Sequence, residues 1–119
     1  MTNEPSSRAE RITATVSSWP GVEVGPHRFG GVEFRVGRRE LGHLHGDRIA
    51  DLPLPRRVRD EVIAAGRARP HHVLPDSGWV TASIGDEDGV DNVLELLRLT
   101  YDRAMSQRER SATGSRADA

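Results

Sequence analysis

Short apolar runs alternate with glycine-containing turns between residues 22 and 54, and this pattern constrains the fold more than any other feature of the chain. In the clearest run, residues 32–36, the first, third and fifth residues are apolar and the two between them are charged, as expected for a strand with one buried face. Two-residue turns that contain glycine favour antiparallel hairpins. Such turns are predicted at Gly30-Gly31, Gly37-Arg38 and Gly46-Asp47.

Helical periodicity is found on both sides of these strands. Ser7 and Glu10 form the pattern of a capping box at the start of a first helix. Pro55 suits the first position of a second helix that Gly66 would end. After a further strand, residues 79–84, the last helix carries the longest apolar stripe of the chain, made of Val90, Val93, Leu94, Leu97, Tyr101 and Ala104.

These elements predict an α+β fold with a mostly antiparallel sheet, in the order α-β-β-β-β-α-β-α, and with helices packed on one face of the sheet. We expect residues 1–105 to form a single domain. Residues 106–119 contain no apolar side chain except alanine and are predicted to be a disordered tail.

The composition excludes several kinds of chemistry. The chain has no cysteine, and all 17 of its basic residues are arginine. Thiolate nucleophiles, iron–sulfur clusters and pyridoxal anchored on a lysine are therefore excluded, and imidazole, carboxylate and guanidinium groups remain. Whether the protein is an enzyme, and which residues would be catalytic, stays open, but any metal site must use histidine and carboxylate ligands.

Two histidines form the strongest candidate for a metal site. His43 and His45 are two residues apart on a predicted strand, so their imidazoles project from the same face. Asp51 could supply a carboxylate, and His71 or His72 could approach from a proline-bounded loop, of which we select His72. Such a set suits zinc, iron, nickel or copper. The alternative is that these histidines are half-buried strand residues with only structural hydrogen bonds.

The strand that carries these histidines has an ambiguous pattern. Leu41 shares strand parity with His43 and His45, whereas Leu44 has the opposite parity. Either Gly42 marks a β-bulge or both faces of this strand are partly buried.

A second candidate site would bind an anion. Arg56 and Arg57 lie in the first turn of the predicted second helix, where the helix dipole disfavours cations and a bound carboxylate or phosphate would favour them. The alternative is that both side chains point into solvent or pair with Asp51 and Asp60. Ser77, in the segment before Trp79, is better explained by turn chemistry than as a nucleophile.

The segments at residues 26–34, 40–46 and 75–80 resemble the small bacterial and fungal luciferase-like domain proteins, over about residues 12–104. The family's name does not by itself imply light emission, because the barrel of flavin-dependent luciferases needs roughly 250 residues, so no flavin is expected. The resemblance implies that polar residues from several strands and a loop converge on one pocket that binds a small ligand or a metal, with Glu40 or Asp51 as the carboxylate partner of the histidines. Its pattern covers His27, Arg28, Glu33, Glu40, His43, His45, Asp51, His72, Ser77 and Trp79.

Charge distribution favours a different class of partner. Residues 28–59 contain eight arginines against four acidic residues, a local charge of +4, although the whole chain is close to neutral. The alternative function is therefore a non-enzymatic module that binds nucleic acid or an acidic protein. The element order is also similar to that of YjbR-type double-wing proteins, for which DNA binding has been proposed. No membrane span or signal peptide is predicted, so a cytoplasmic location is expected, and the oligomeric state stays open.

Overall fold

The structure is a computed structural model that describes residues 7–27, 30–71, 73–74 and 76–117, with side chains described as far as residue 110. Helix α1 (Arg8–Ser17) begins with the predicted capping box. The Ser7 hydroxyl accepts the backbone N–H of Glu10 at 3.0 Å, and the Glu10 carboxylate accepts that of Ser7 at 3.2 Å. These two bonds satisfy donors that the first helical turn leaves without partners.

An antiparallel sheet forms the centre of the described part of the chain. Its order is β1-β2-β3-β4-β6-β5. The predicted succession of elements is confirmed, with one strand added: β5 has two residues, too few to produce a periodic pattern in sequence. The strands are β1 (Val22–Pro26), β2 (Val32–Val36), β3 (Arg39–His45), β4 (Ile49–Pro53), β5 (Arg69–Pro70) and β6 (Trp79–Ser83).

Two further helices follow α1 in the described chain. Helix α2 (Arg56–Ala64) connects β4 to β5, and α3 (Glu87–Ala117) follows β6. The predicted apolar stripe of α3 faces the sheet, and the Tyr101 hydroxyl donates a 2.7 Å hydrogen bond to the carbonyl of Pro20. The helix continues through residues 106–117, most of the segment predicted as a tail; this segment is rich in the helix-favouring residues Arg, Ala, Glu and Gln.

The hydrophobic core lies between one face of the sheet and helices α1 and α3. Burial on one face leaves the opposite face of the same strands free for polar side chains. No helix in the described residues combines the length and the apolar character that a membrane span requires. The core residues that the sheet supplies include Phe34, Leu44, Ala50, Leu52, Val80 and Ala82, all fully buried.

A β-bulge in β3 resolves the ambiguous parity of that strand. Phe34 lies opposite Gly42 and Arg35 lies opposite Glu40, so Leu41 is the extra residue and its side chain enters the core. The bulge places Glu40 on the same face as His43, although the two residues are three apart in sequence.

Gly42 makes this bulge feasible. Its φ of +155° is rare for residues with a side chain, and an added Cβ would lie 2.9 Å from the carbonyl oxygen of Asp51. The glycine therefore allows β3 and β4 to approach each other closely beside His43 and Asp51, which are buried on the polar face.

Candidate metal centre

One row of side chains crosses the polar face of the sheet. Glu33, His43, Asp51, Thr81 and Arg69 lie opposite one another on five neighbouring strands. Because paired residues on adjacent strands point to the same face, this register brings groups from distant parts of the sequence together on a rigid support.

Asp51 lies at the centre of the row, with its side chain only 1% exposed. Its Oδ1 accepts a hydrogen bond from Thr81 Oγ1 at 2.6 Å. Its Oδ2 faces three imidazoles, at 3.2 Å from Nε2 of His43, 3.0 Å from Nε2 of His45 and 3.4 Å from Nε2 of His71. Burial alone would raise the pKa of Asp51, but the hydrogen bonds from His43 and Thr81 and the charge of His43 hold it well below its usual range.

His43 is buried, and both nitrogens of its ring face a carboxylate. Its Nδ1–H donates to Oε2 of Glu40 at 2.6 Å, while Nε2 faces Asp51. Burial favours the neutral ring, but the hydrogen bonds to Asp51 and Glu40 and the charges of both carboxylates outweigh it and raise the pKa of His43 to about 9. Without a metal ion, His43 is therefore an imidazolium at neutral pH, and its second proton lies between the ring and Asp51.

His71 has the opposite arrangement of its ring nitrogens. Its Nδ1 accepts the backbone N–H groups of Val73 at 3.1 Å and Leu74 at 3.2 Å. A nitrogen that accepts hydrogen bonds carries no proton, so the proton of His71 lies on Nε2 and points to Asp51. While these backbone bonds exist, Nε2 of His71 has no lone pair to offer a metal, and His71 orients the carboxylate instead.

His27 and Glu33 extend the cluster towards the edge of the sheet. The His27 ring stacks on that of His43, with 3.9 Å between the ring centroids and 11° between the planes. Glu33 accepts a hydrogen bond from Nδ1 of His27 at 3.1 Å and also pairs with Arg35. The hydrogen bond from His27, together with Arg35, lowers the pKa of Glu33 despite the opposing effect of burial.

Trp79 forms one wall of the cluster. Its ring centroid lies 5.6 Å from that of His43 and 6.2 Å from that of His71. The His43 side chain is 9% exposed, whereas that of His45 is 32% exposed. The cluster is therefore reached from solvent on the side of His45.

The arrangement of His43, His45 and Asp51 fits a metal ion. One ligand atom from each residue lies within 4.8 Å of the other two. In a tetrahedral site with bonds of about 2.1 Å, ligand atoms are roughly 3.4 Å apart, and both histidine Nε2 atoms lie at close to this distance from Asp51 Oδ2.

Other predicted site residues lie away from these ligands. Arg57 is exposed and approaches Glu61 at 3.6 Å, while Arg56 donates to the backbone carbonyl of Asp76. Ser77 donates to the carbonyl of Leu74 at 2.6 Å and accepts the backbone N–H of Trp79, which is turn chemistry.

The sequence predicted part of this cluster and missed part of it. Arg28 and His72 lie outside the residues that the structure describes, so their roles as site residues stay predictions. His71, the alternative that we did not select, lies at Asp51. Thr81 was missed, because its contact with Asp51 depends on the pairing of β4 with β6. The one available signal was the alternation of the predicted strand 79–84, which places Thr81 on the face opposite the core.

The sheet and this cluster define an α+β domain with a histidine- and carboxylate-rich polar face. A family model described as Luciferase domain matches residues 38–100, just over half of the chain, and the protein belongs to the luciferase domain family. The matched range contains His43, His45, Asp51 and Thr81. Comparisons with curated proteins and with solved structures found no match. The similarity to YjbR-type proteins stays a prediction.

Proposed function

We propose that this domain binds one divalent transition-metal ion through Nε2 of His43, Nε2 of His45 and Oδ2 of Asp51. The observation that carries the proposal is the convergence of three imidazole nitrogens on one carboxylate oxygen. An oxygen atom has two lone pairs, so it cannot serve three N–H donors equally well. An ion in place of the protons of His43 and His45 would bind both nitrogens and the oxygen together.

The groups around these three residues support the same assignment. Glu40 accepts a hydrogen bond from Nδ1–H of His43, which fixes the ring and turns Nε2 towards the ion, an arrangement common in metalloproteins. Thr81 donates to Oδ1 of Asp51 at 2.6 Å and Nε2 of His71 lies 3.4 Å from Oδ2, so both help to orient the carboxylate. The ligands also lie on neighbouring strands of one sheet, so little conformational entropy is lost when the ion binds.

Two imidazoles and one carboxylate suit zinc, iron, nickel or copper rather than magnesium or calcium. Three protein ligands leave at least one coordination position for water or a small ligand, as in catalytic sites, whereas structural zinc sites are closed by four. The exposed side of His45 gives that position access to solvent. We infer that a small molecule with an oxygen or nitrogen donor binds there.

Calorimetric titration of chelator-treated protein with Zn²⁺ and Co²⁺ tests this proposal. We expect one ion per chain, with micromolar or tighter affinity, and visible absorption bands from the Co²⁺ form. The variants H45A and D51N should each lose at least tenfold in affinity, whereas D102N, which changes an exposed aspartate of α3, should bind as the wild type does. Circular dichroism checks that each variant is folded.

Absence of binding by folded wild-type protein would overturn the proposal and favour the structural explanation of the histidines. Binding that survives both H45A and D51N would place the ion elsewhere and would equally contradict it.

A further inference from the structure

A concave surface lies between the turn that joins β2 to β3 and the last described turns of α3. Its volume is about 650 Å³, and it is lined by Arg38 from the turn, by Arg39 at the start of β3 and by Arg108 and Arg110 from the helix. Arg39 and His45 are at opposite ends of β3, about 20 Å apart along the strand, so this cleft is separate from the candidate metal centre.

The four arginines of the cleft differ from most arginines in the described part of the chain. Arg39 donates to the side-chain amide oxygen of Gln107, and Arg110 donates to the Ser106 hydroxyl at 3.0 Å. The side chains of Arg38 and Arg108 make no hydrogen bond or ion pair with any described residue. By contrast, carboxylates pair with Arg11, Arg35, Arg57, Arg59, Arg67 and Arg98.

The described lining of the cleft supplies positive charge and no negative charge. Among the described residues that line the cleft, none is acidic. Like charges held this close repel one another, and the repulsion is relieved when an anion binds between them. Guanidinium groups bind phosphate through paired hydrogen bonds, which makes arginine the usual choice for phosphate recognition.

We propose that this cleft binds a small ligand that carries two or more adjacent phosphate groups. Four guanidinium groups match the charge of a di- or triphosphate, and the volume lies within the range of small-molecule sites. None of the described lining residues is aromatic, so these residues offer no aromatic ring on which a nucleic-acid base could stack. Recognition therefore depends on the phosphates rather than on an attached base.

The test is calorimetric titration of chelator-treated protein with tripolyphosphate, inorganic phosphate and a single-stranded oligonucleotide. The metal is removed first so that the measured heat does not come from polyphosphate binding to an ion held by His43 and Asp51. We expect tripolyphosphate to bind at least tenfold more tightly than inorganic phosphate. The double variant R38A/R108A should lose at least tenfold in that affinity, whereas R11A/R98A, which removes two carboxylate-paired arginines, should lose less than twofold.

Equal losses in the two double variants would show that the attraction is only diffuse and would overturn the proposal. So would tight binding of the oligonucleotide with no binding of tripolyphosphate, since that would make the surface a nucleic-acid interface. We expect R38A/R108A to bind Zn²⁺ as tightly as the wild type does. This control shows that the variant is folded, and it separates a failure of the phosphate proposal from a failure of the metal proposal.

Discussion

Nε2 of His43 lies 3.2 Å from Oδ2 of Asp51, and the two residues are direct partners across the pairing of β3 with β4. Both are buried on the polar face of the sheet. A buried pair of this kind is stable only when each charge is compensated, either by a proton on the imidazole or by a metal ion.

Replacement of Glu40 by glutamine should weaken metal binding without removing a ligand. The amide keeps a hydrogen bond to Nδ1 of His43 but no longer carries the charge that makes the ring a stronger donor. Loss of such a partner typically reduces metal affinity by about 10- to 100-fold. Competition with a chromogenic chelator measures the change, and an affinity equal to that of the wild type would show that Glu40 has no part in the site. E23Q, on exposed β1, is the matched control.

Replacement of His71 by glutamine should separate a positioning residue from a ligand. Because the Nδ1 atom of His71 accepts two backbone N–H groups, the Cu²⁺ form of the wild type should show two coordinated imidazoles in pulsed electron paramagnetic resonance. H71Q should retain both, with a lower affinity because the Asp51 carboxylate is less well oriented. H45A should retain one. A loss of one imidazole in H71Q would instead identify His71 as a ligand.

The stability of the metal-free protein should fall as pH rises through about 9. The pKa of His43 is raised from 6.5 to about 9 in the folded state, so its charged form stabilises the fold fully below pH 6.5 and loses this effect as the folded ring deprotonates. The pKa of Asp51 is lowered in the folded state, so the stability that its charged form contributes is lost only in strong acid. Urea unfolding at pH 6, 8 and 9.5 after chelation measures the effect, on the order of a few kcal/mol.

The variant H43N is the control for this pH dependence. It lacks the titrating ring, so its stability should change much less than that of the wild type over the same interval. Parallel curves for the two proteins would assign the pH dependence to other groups and would contradict the role given to His43.

The sequence predicted the order of elements because its strands alternate strongly and its turns contain glycine. It also predicted that His43 and His45 share a face, since this follows from the period of a strand. Two contacts, which the sequence left as open alternatives, do not follow from strand periodicity alone. The approach of Glu40 to His43 requires a bulge at Leu41, and the approach of His71 to Asp51 depends on the path of a loop without periodic pattern.

Replacement of Gly42 by alanine should destabilise the protein through the bulge on which the candidate metal centre depends. The backbone there has a φ of +155°, and the added methyl group would lie 2.9 Å from the Asp51 carbonyl oxygen and 3.1 Å from the Leu97 side chain. We expect a loss of more than about 2 kcal/mol in the free energy of unfolding, because strain in the backbone and a contact with backbone of β4 are combined. Urea denaturation measures this loss.

The matched control is G25A in β1, where nothing lies within 4 Å of the added Cβ, and its stability should change by less than about 1 kcal/mol. If G42A is as stable as G25A, β3 and β4 do not approach as closely as described, and the support for His43 and Asp51 is lost with that contact.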